Sequence, residues 1–121
     1  MATKYKNKKV KMYGKEFASI HEAERYLILR TLERQKVIKD LKCQVRYKLI
    51  PEQREPDTVG KRGGIIKGKL IERGCDYIAD FVYTDINGNE IVEDAKGYRT
   101  DDYIIKRKLM LWIHGIRIKE T

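Results

Sequence analysis

Two aspartates and one lysine have the types and spacing that metal-dependent hydrolysis of a phosphodiester requires. Asp80 precedes the dipeptide Asn87-Gly88, and Asp94 and Lys96 follow it. The segments that carry them alternate apolar and polar residues, which is typical of half-buried β-strands, and Asn-Gly between two such segments favours a β-hairpin. The sequence therefore predicts a hairpin that carries two acids and a base.

The register of this hairpin decides whether the two acids meet. A two-residue turn would place Phe81 opposite Asp94 and would leave Asp80 on the other face. A three-residue loop at 86–88, with its glycine left-handed, places Asp80 directly opposite Asp94 and puts Lys96 on the same face.

The three-residue loop is the register we expect, because it also pairs Val82 with Val92 on one face. Directly opposed carboxylates have Cβ atoms about 5 Å apart and repel each other. A divalent cation between Asp80 and Asp94 would remove that repulsion, so the pair is a candidate metal site. The alternative is two solvated acids near a turn.

Two helices and two further strands frame the hairpin. Ser19 and Glu22 form a capping-box pattern that opens a helix to about Lys36, and Thr100 opens a second helix that ends at His114 before a glycine. Strands are predicted at 42–50 and 116–118. The predicted apolar faces are Ile20, Ala23, Leu27, Ile28 and Leu32 on the first helix, Ile105, Leu109, Trp112 and Ile113 on the second, and Cys43, Val45, Tyr47 and Leu49 on the strand at 42–50.

Length and composition indicate one compact domain with a polyanionic partner. The 121 residues suffice for one hydrophobic core, and 37% charged residues with a net charge of +9 favour binding to nucleic acid. No apolar run approaches the ~18 residues of a membrane span and no signal peptide is visible, so we expect a cytoplasmic protein without a membrane partner. Cys43 and Cys75 are too isolated for a zinc site or a disulfide framework. His21 and His114 are interpreted as structural residues.

Two basic segments are candidates for contact with phosphates. Residues 1–15 form a tail with six lysines and no acid, ahead of a single domain at 16–121. The insertion at 51–70 contains prolines and glycines that would interrupt regular structure, apart from a short strand at Ile65-Ile66. We interpret it either as a tolerated surface loop or as a flexible flap that grips the nucleic-acid backbone. Its cations are Lys61, Arg62, Lys67 and Lys69.

The chain resembles the PD-(D/E)xK nuclease superfamily. The resemblance rests on Asp80, on the triplet Asp94-Ala95-Lys96 and on the order of the predicted elements, and it extends from about residue 17 to the C-terminus. The triplet, followed by Thr100 and Tyr103, is similar to a small phage-encoded branch of that superfamily and to junction-resolving endonucleases.

This resemblance implies an α/β protein with a restriction-endonuclease-like core, in the order α-β-β-β-α-β, whose mixed sheet is flanked by helices. It implies a Mg²⁺-dependent DNA endonuclease, with Mn²⁺ as a substitute, that is encoded by a phage or prophage. Branched DNA and recombination intermediates are one class of substrate that it suggests. A cutter of both strands needs two sites and hence a homodimer. Ala79 stands where the name-giving proline would be, and this position supplies no ligand.

The resemblance also assigns roles to individual residues. Asp80 and Asp94 are the expected metal ligands, and the backbone carbonyl of Ala95 is a further one. Lys96 is the catalytic residue that would hold or activate the attacking water. Glu22 matches the third acid of the superfamily, as a catalytic residue that reaches the metal directly or through water.

Several assignments remain open on the sequence alone. Glu22 could simply complete the capping box, and Glu24, which lies among the apolar positions of its helix, is the alternative third acid. Gln44 either supports the site or is a surface residue. Lys106 and Lys108 either contact DNA or lie on a solvated helix face. The competing function is that of a non-catalytic nucleic-acid-binding phage accessory protein.

Overall fold

The fold is mixed α/β, with a four-stranded mixed sheet and two helices. The computed structural model describes residues 9–12, 14–96 and 98–121, so the predictions for residues 1–8 of the basic tail lie outside the described residues. In chain order the elements are β1 (Val10–Met12), β2 (Lys15–Phe17), α1 (Ile20–Arg34), β3 (Lys39–Ile50), β4 (Gln53–Arg54), β5 (Thr58–Val59), β6 (Ile65–Ile66), β7 (Leu70–Glu72), β8 (Cys75–Thr84), β9 (Glu90–Asp94), α2 (Asp101–His114) and β10 (Lys119–Glu120).

The four-stranded sheet has the strand order β10-β9-β8-β3. β10 runs parallel to β9, and the other neighbours are antiparallel. Together with α1 and α2, these strands follow the predicted order α-β-β-β-α-β. The last strand differs from the prediction, because Ile116 and Ile118 pack into the core ahead of it and the pairing begins only at Lys119.

The β8–β9 hairpin has the predicted three-residue register. Val82 pairs with Val92 and Thr84 pairs with Glu90. Gly88 has a φ of 84°, and its N–H donates a hydrogen bond of 3.0 Å to the carbonyl of Asp85. Glycine adopts this left-handed backbone without steric cost, which explains why the loop closes at this position.

Two hydrophobic clusters cover the two faces of the sheet. Phe81 and Val82 are adjacent in β8 yet belong to different clusters, as the alternation of a strand requires. The α2 cluster contains Tyr103 and Met110 of that helix, and the α1 cluster contains Ala23, Tyr26 and Leu29.

The paired strands β3 and β8 form a ribbon whose alternate residues face the α2 cluster in one half and the α1 cluster in the other. The ribbon therefore changes sides at its middle. Ala79 belongs to the α2 cluster, whereas Phe81 belongs to the α1 cluster; on β3, Val45 and Cys43 divide in the same way. In a regular strand, residues two apart share a face. The change coincides with Gln44, whose φ of 55° is left-handed. The prediction that Cys43 shares a face with the later residues of its strand is therefore wrong.

The helices begin at the predicted caps but bury different faces from those predicted. Ser19 and Thr100 accept hydrogen bonds from the first turns of α1 and α2, and the left-handed Gly115 ends α2. The large rings of Tyr26 and Tyr103 occupy the core positions, so other apolar residues remain outside. Exposed, against prediction, are Ile20, Leu27, Ile28, Ile105, Trp112 and Ile113.

Residues 53–72 form a projection of two short antiparallel ladders, which we call the β-arm. β4 pairs with β7 and β5 pairs with β6, both antiparallel, and the predicted strand at Ile65-Ile66 is β6. The N–H of Gly60 donates a 2.7 Å hydrogen bond to the carbonyl of Gly64, which closes the tip. As expected, the glycines and prolines interrupt regular structure, at 55–57, 60–64 and 67–69, but the short strands between these interruptions pair across the arm, which the sequence does not predict except at β6.

Part of the predicted basic tail also pairs and packs. β1 and β2 form an antiparallel hairpin, and Phe17 is buried against Tyr26 with their ring centroids 5.1 Å apart. Residues 10–12 and 14–17 therefore belong to the folded body. No helix among the described residues has both the length and the apolar character needed to cross a bilayer.

Candidate active site

Asp80 and Asp94 meet where the β8–β9 pairing ends. Phe81 pairs with Glu93, so the next positions along the two strands face each other. The N–H of Ala95 donates a 2.9 Å hydrogen bond to Oδ2 of Asp80. The hydroxyl of Tyr77 donates a 2.5 Å hydrogen bond to Oδ2 of Asp94. One oxygen of each carboxylate is thus fixed by the protein.

The second oxygen of Asp94 lacks a hydrogen-bond partner among the described residues. Oδ1 is buried and accepts no hydrogen bond from any residue that the structure describes. The Lys96 ammonium lies 3.6 Å from it, which is an ion-pair distance but longer than a hydrogen bond. A buried anionic oxygen without a partner is costly, so this atom is poised to accept a cation or a donor.

Glu22 is the third acid of this cluster. It is 4% exposed, in the first turn of α1, whereas Glu24 faces solvent. Its Oε2 accepts from the N–H of Ala18 (3.1 Å) and its Oε1 accepts from Gln44 Nε2 (2.9 Å). The Ser19 hydroxyl accepts from the Glu22 N–H, but the reciprocal bond of a capping box is replaced by the bond from Ala18. Glu22, not Glu24, therefore belongs to the cluster.

Gln44 holds Glu22 from a strained position. Its left-handed backbone is unusual for a residue other than glycine, asparagine or aspartate and costs about 1 kcal/mol or more. Gln44 occupies the position across from Asp80 in the β3–β8 ladder, between the pairs formed by its two neighbours. The strain therefore falls at the acidic cluster, where the ribbon changes sides.

The acids perturb one another's ionisation. Burial raises the pKa of Asp80 to about 7, and the negative charges of Asp94 and Glu22 add to the effect, while the Ala95 N–H and Lys96 oppose it. Burial likewise raises the pKa of Glu22, although the hydrogen bond from the Ala18 N–H opposes this shift and the negative charge of Asp94 adds to it. Near pH 7 Asp80 therefore carries its proton in part of the metal-free molecules.

Lys96 completes the site from the end of the hairpin. Its ammonium lies 4.5 Å from the centre of the Tyr103 ring, at the start of α2. Tyr103 in turn donates a 2.7 Å hydrogen bond to Glu120, which fixes the ring. The Lys96 side chain is 32% exposed, so the ammonium is held near Asp94 and can still be reached from outside.

The cluster opens into a cleft of about 220 Å³. Asp80, Asp94 and Lys96 line it together with Lys106, one and a half turns into α2. Lys108 lines a different groove on the other side of that helix. Lys106 therefore lies in the cleft beside the acids, and Lys108 does not line that cleft. Lys61, Arg62, Lys67 and Lys69 are exposed on the β-arm.

The residues present fit a hard divalent cation with few protein ligands. Among the described residues, no three His, Cys, Asp or Glu side chains are arranged to hold a metal ion by themselves. Mg²⁺ needs no such cage, since it commonly binds one or two carboxylates and fills its remaining positions with water and substrate oxygens. The positive charge of such a cation would satisfy the unpartnered Oδ1 of Asp94 and would favour the ionised form of Asp80, whose pKa is raised in its absence.

A second buried acid, Glu93, points away from this cluster. It is fully buried and forms a bidentate ion pair with Arg25 of α1. The hydroxyls of Tyr83 and Thr121 donate to it as well, at 2.5 and 3.0 Å. Burial opposes its ionisation, but these donors outweigh burial and lower the pKa of Glu93. Glu93 ties the sheet to α1 and is not a ligand candidate.

A family model described as a protein of unknown function, DUF1064, matches residues 2–116. The chain belongs to the DUF1064 family. No curated protein matches this DUF1064 chain, and no solved structure matches it.

The acids and the lysine predicted from the sequence lie together, and Gln44, one of whose two predicted roles is to support the site, bonds Glu22, whereas other supporting residues were not predicted. Tyr77, whose hydroxyl donates to Asp94, is not among the residues predicted to form the site. A signal was present, because a tyrosine in a half-buried strand needs a partner for its hydroxyl. The two histidines interpreted as structural bond backbone carbonyls: His21 that of Thr121 at 2.8 Å, and His114 that of Lys48 at 2.7 Å.

Proposed function

We propose that this DUF1064 protein is a Mg²⁺-dependent DNA endonuclease that hydrolyses phosphodiester bonds. The observation that carries the proposal is the convergence of Asp80, Asp94 and Lys96 at one cleft, with the buried carboxyl of Glu22 beside the two aspartates. The order α-β-β-β-α-β around a mixed sheet supports a restriction-endonuclease-like core, with the acids at the end of the central hairpin. Branched DNA and recombination intermediates of a phage are the substrates that the resemblance suggests.

Asp80 and Asp94 would hold the cation, and Glu22 would act beside them. Mg²⁺, when bound, polarises a phosphoryl oxygen and lowers the pKa of a coordinated water. Both oxygens of Glu22 already accept hydrogen bonds, so it is better placed to orient Asp80 and a water than to be a sole ligand. Binding a divalent cation would displace the proton that Asp80 retains.

Lys96 supplies positive charge where the reaction generates negative charge. Its ammonium, held between Asp94 and the ring of Tyr103, can orient the attacking water and neutralise the oxygens around the phosphorus in the transition state. Lys106 lines the same cleft and can bind the adjacent phosphate. The side chains thus cover attack, charge stabilisation and positioning.

Cleavage of supercoiled plasmid and of a four-way junction in Mg²⁺, with EDTA as the comparison, tests this function. Glu22→Gln should lower the cleavage rate at least about tenfold, because it alters the buried acid beside the reacting groups. Glu24→Gln is the matched control on the exposed side of α1 and should cut at the wild-type rate. Binding of DNA without any Mg²⁺-dependent cutting would instead support the non-catalytic nucleic-acid-binding function.

A further inference from the structure

The β-arm exposes apolar side chains to solvent on β5 and β6, near its tip. Val59 and Ile65 face each other directly across β5 and β6, and they are 75% and 79% exposed. Ile66 is 55% exposed beside them. Among the described strands, those of the arm pair only with one another. Exposed aliphatic residues grouped in this way mark a binding surface.

The charge around this apolar pair indicates its partner. From Thr58 to Ile71 the chain has four cations and no acid. The only ion pair that the described residues form with these cations is between Lys67 and Glu52, with 3.9 Å between the charged atoms. Cations that flank an exposed apolar patch match the phosphates and base edges of a nucleic acid.

The backbone in the middle of the arm, between its two ladders, is fixed before any partner binds. Gly68 donates a 2.9 Å hydrogen bond to Asp57 and accepts one of 3.0 Å from Arg54. A Cβ at Gly68 would lie 1.7 Å from the carbonyl oxygen of Glu55, so only glycine permits this close approach. The arm is therefore preorganised, which lowers the entropy lost on binding.

The width of a two-stranded arm favours the major groove of duplex DNA over the minor groove. Gln53 to Gly60 spans about 26 Å of extended chain, enough to reach across a duplex at ~3.3 Å per residue. The major groove is about 12 Å wide and admits a two-stranded ribbon, whereas the minor groove is about 6 Å wide.

We propose that the β-arm lies in the major groove of duplex DNA, with Val59 and Ile65 against base edges and with its cations on the flanking phosphates. Thymine methyl groups are the apolar surface that the major groove offers to such side chains. The inference rests on the proposed function, in that DNA is the partner, and it names duplex DNA as the class that the arm recognises. It does not depend on cleavage.

Fluorescence anisotropy in EDTA tests the arm separately from the chemistry, with a 30-base-pair duplex and a single strand of the same length. Val59→Ser/Ile65→Ser should weaken duplex binding about tenfold or more, because two aliphatic side chains lose their burial. It should leave the salt dependence and single-strand binding unchanged.

Lys61→Gln/Arg62→Gln should lower the log–log salt slope by about 0.9 for each lost phosphate contact. Ile86→Ser, 76% exposed in the β8–β9 loop, is the matched control and should have no effect.

Protection of guanine N7 from methylation by the wild type, lost in the Val59→Ser/Ile65→Ser variant, should locate the arm in the major groove. Wild-type duplex affinity in that variant would overturn the inference. So would sedimentation showing that the two substitutions dissociate a homodimer, since the apolar pair would then join two copies of this chain. Absence of wild-type duplex binding would overturn the arm and the proposed function together. Duplex binding that depends on the arm, without Mg²⁺-dependent cleavage, would refute the nuclease alone.

Discussion

Gln44 donates a 2.9 Å hydrogen bond to the buried carboxylate of Glu22 while its own backbone is left-handed, with φ at 55°. The two facts are connected, because the same backbone conformation accompanies the change of sides in the β3–β8 ribbon. Strain that persists in a folded protein is commonly found at functional sites. This bond therefore links the fold of the ribbon to the geometry of the acids.

Replacing Gln44 separates the strain from the bond. Gln44→Gly removes both, whereas Gln44→Ala removes the bond and keeps the strain, so the glycine variant should be the more stable by about 1 kcal/mol in urea unfolding. Both variants should cut DNA more slowly than the wild type, since Glu22 loses a partner. Equal stability of the two variants would show that the backbone at this position is not strained.

The pH dependence of stability should report the acidic cluster. The pKa of Asp80 is raised to about 7 in the folded state and lies near ~3.9 in the unfolded chain. Its contribution to stability is thus fully present below about pH 4 and is lost as pH rises through about 7. Relative to the Tm of Asp80→Asn, the Tm of the metal-free wild type should fall between pH 5 and 8, because Asp80 in the folded state loses its proton in that range. Mg²⁺ should restore the wild-type Tm at pH 8 and leave that of Asp80→Asn unchanged.

The buried Arg25–Glu93 pair should behave as structure, not as chemistry. Arg25→Met leaves a charged Glu93 without its main partner and should cost about 3–5 kcal/mol in free energy of unfolding. Arg25→Met/Glu93→Gln removes both charges and should recover a large part of that loss. A single variant within about 0.5 kcal/mol of the wild type would contradict the assignment of this pair to the stability of the fold.

Gly68 should be the least replaceable glycine of the β-arm. Gly68→Ala places a methyl group against the Glu55 carbonyl and should disrupt the arm, measured as faster amide exchange at 53–72 and weaker duplex binding. Gly64→Ala is the control, because nothing lies within 4 Å of a Cβ there. Identical exchange in both variants would mean that the arm adapts to the added methyl group.

Local signals in the sequence were sufficient to predict the β8–β9 hairpin but not which glutamate of α1 lies beside its acids. The Asn-Gly dipeptide and the alternation of apolar residues determine the β8–β9 register, because both act over a few residues. The choice between Glu22 and Glu24 depends on which face of α1 packs on the sheet. That face is decided by Tyr26 and its distant partner Phe81, which the helical spacing of aliphatic residues does not reveal.

Two features of the fold run against their local sequence. Prolines and glycines at 51–70 predict an interrupted loop and do interrupt the strands, yet the short strands between them pair across the arm, and pairing between segments is invisible to a local rule. Gln44 has no sequence mark of a left-handed backbone, because that conformation is imposed by the ribbon around it and by the bond to Glu22.

Catalysis at the acid and lysine cluster can be tested by single-turnover cleavage in Mg²⁺, with DNA affinity measured separately in EDTA. Lys96→Ala and Asp94→Asn should each lose at least about 10²-fold in cleavage rate, the scale of one transition-state contact. Both should retain most of their DNA affinity, because many other cations bind the backbone. Lys42→Ala, at an exposed position of β3, is the control and should match the wild type. Wild-type cleavage by Lys96→Ala would contradict the account at its most specific residue.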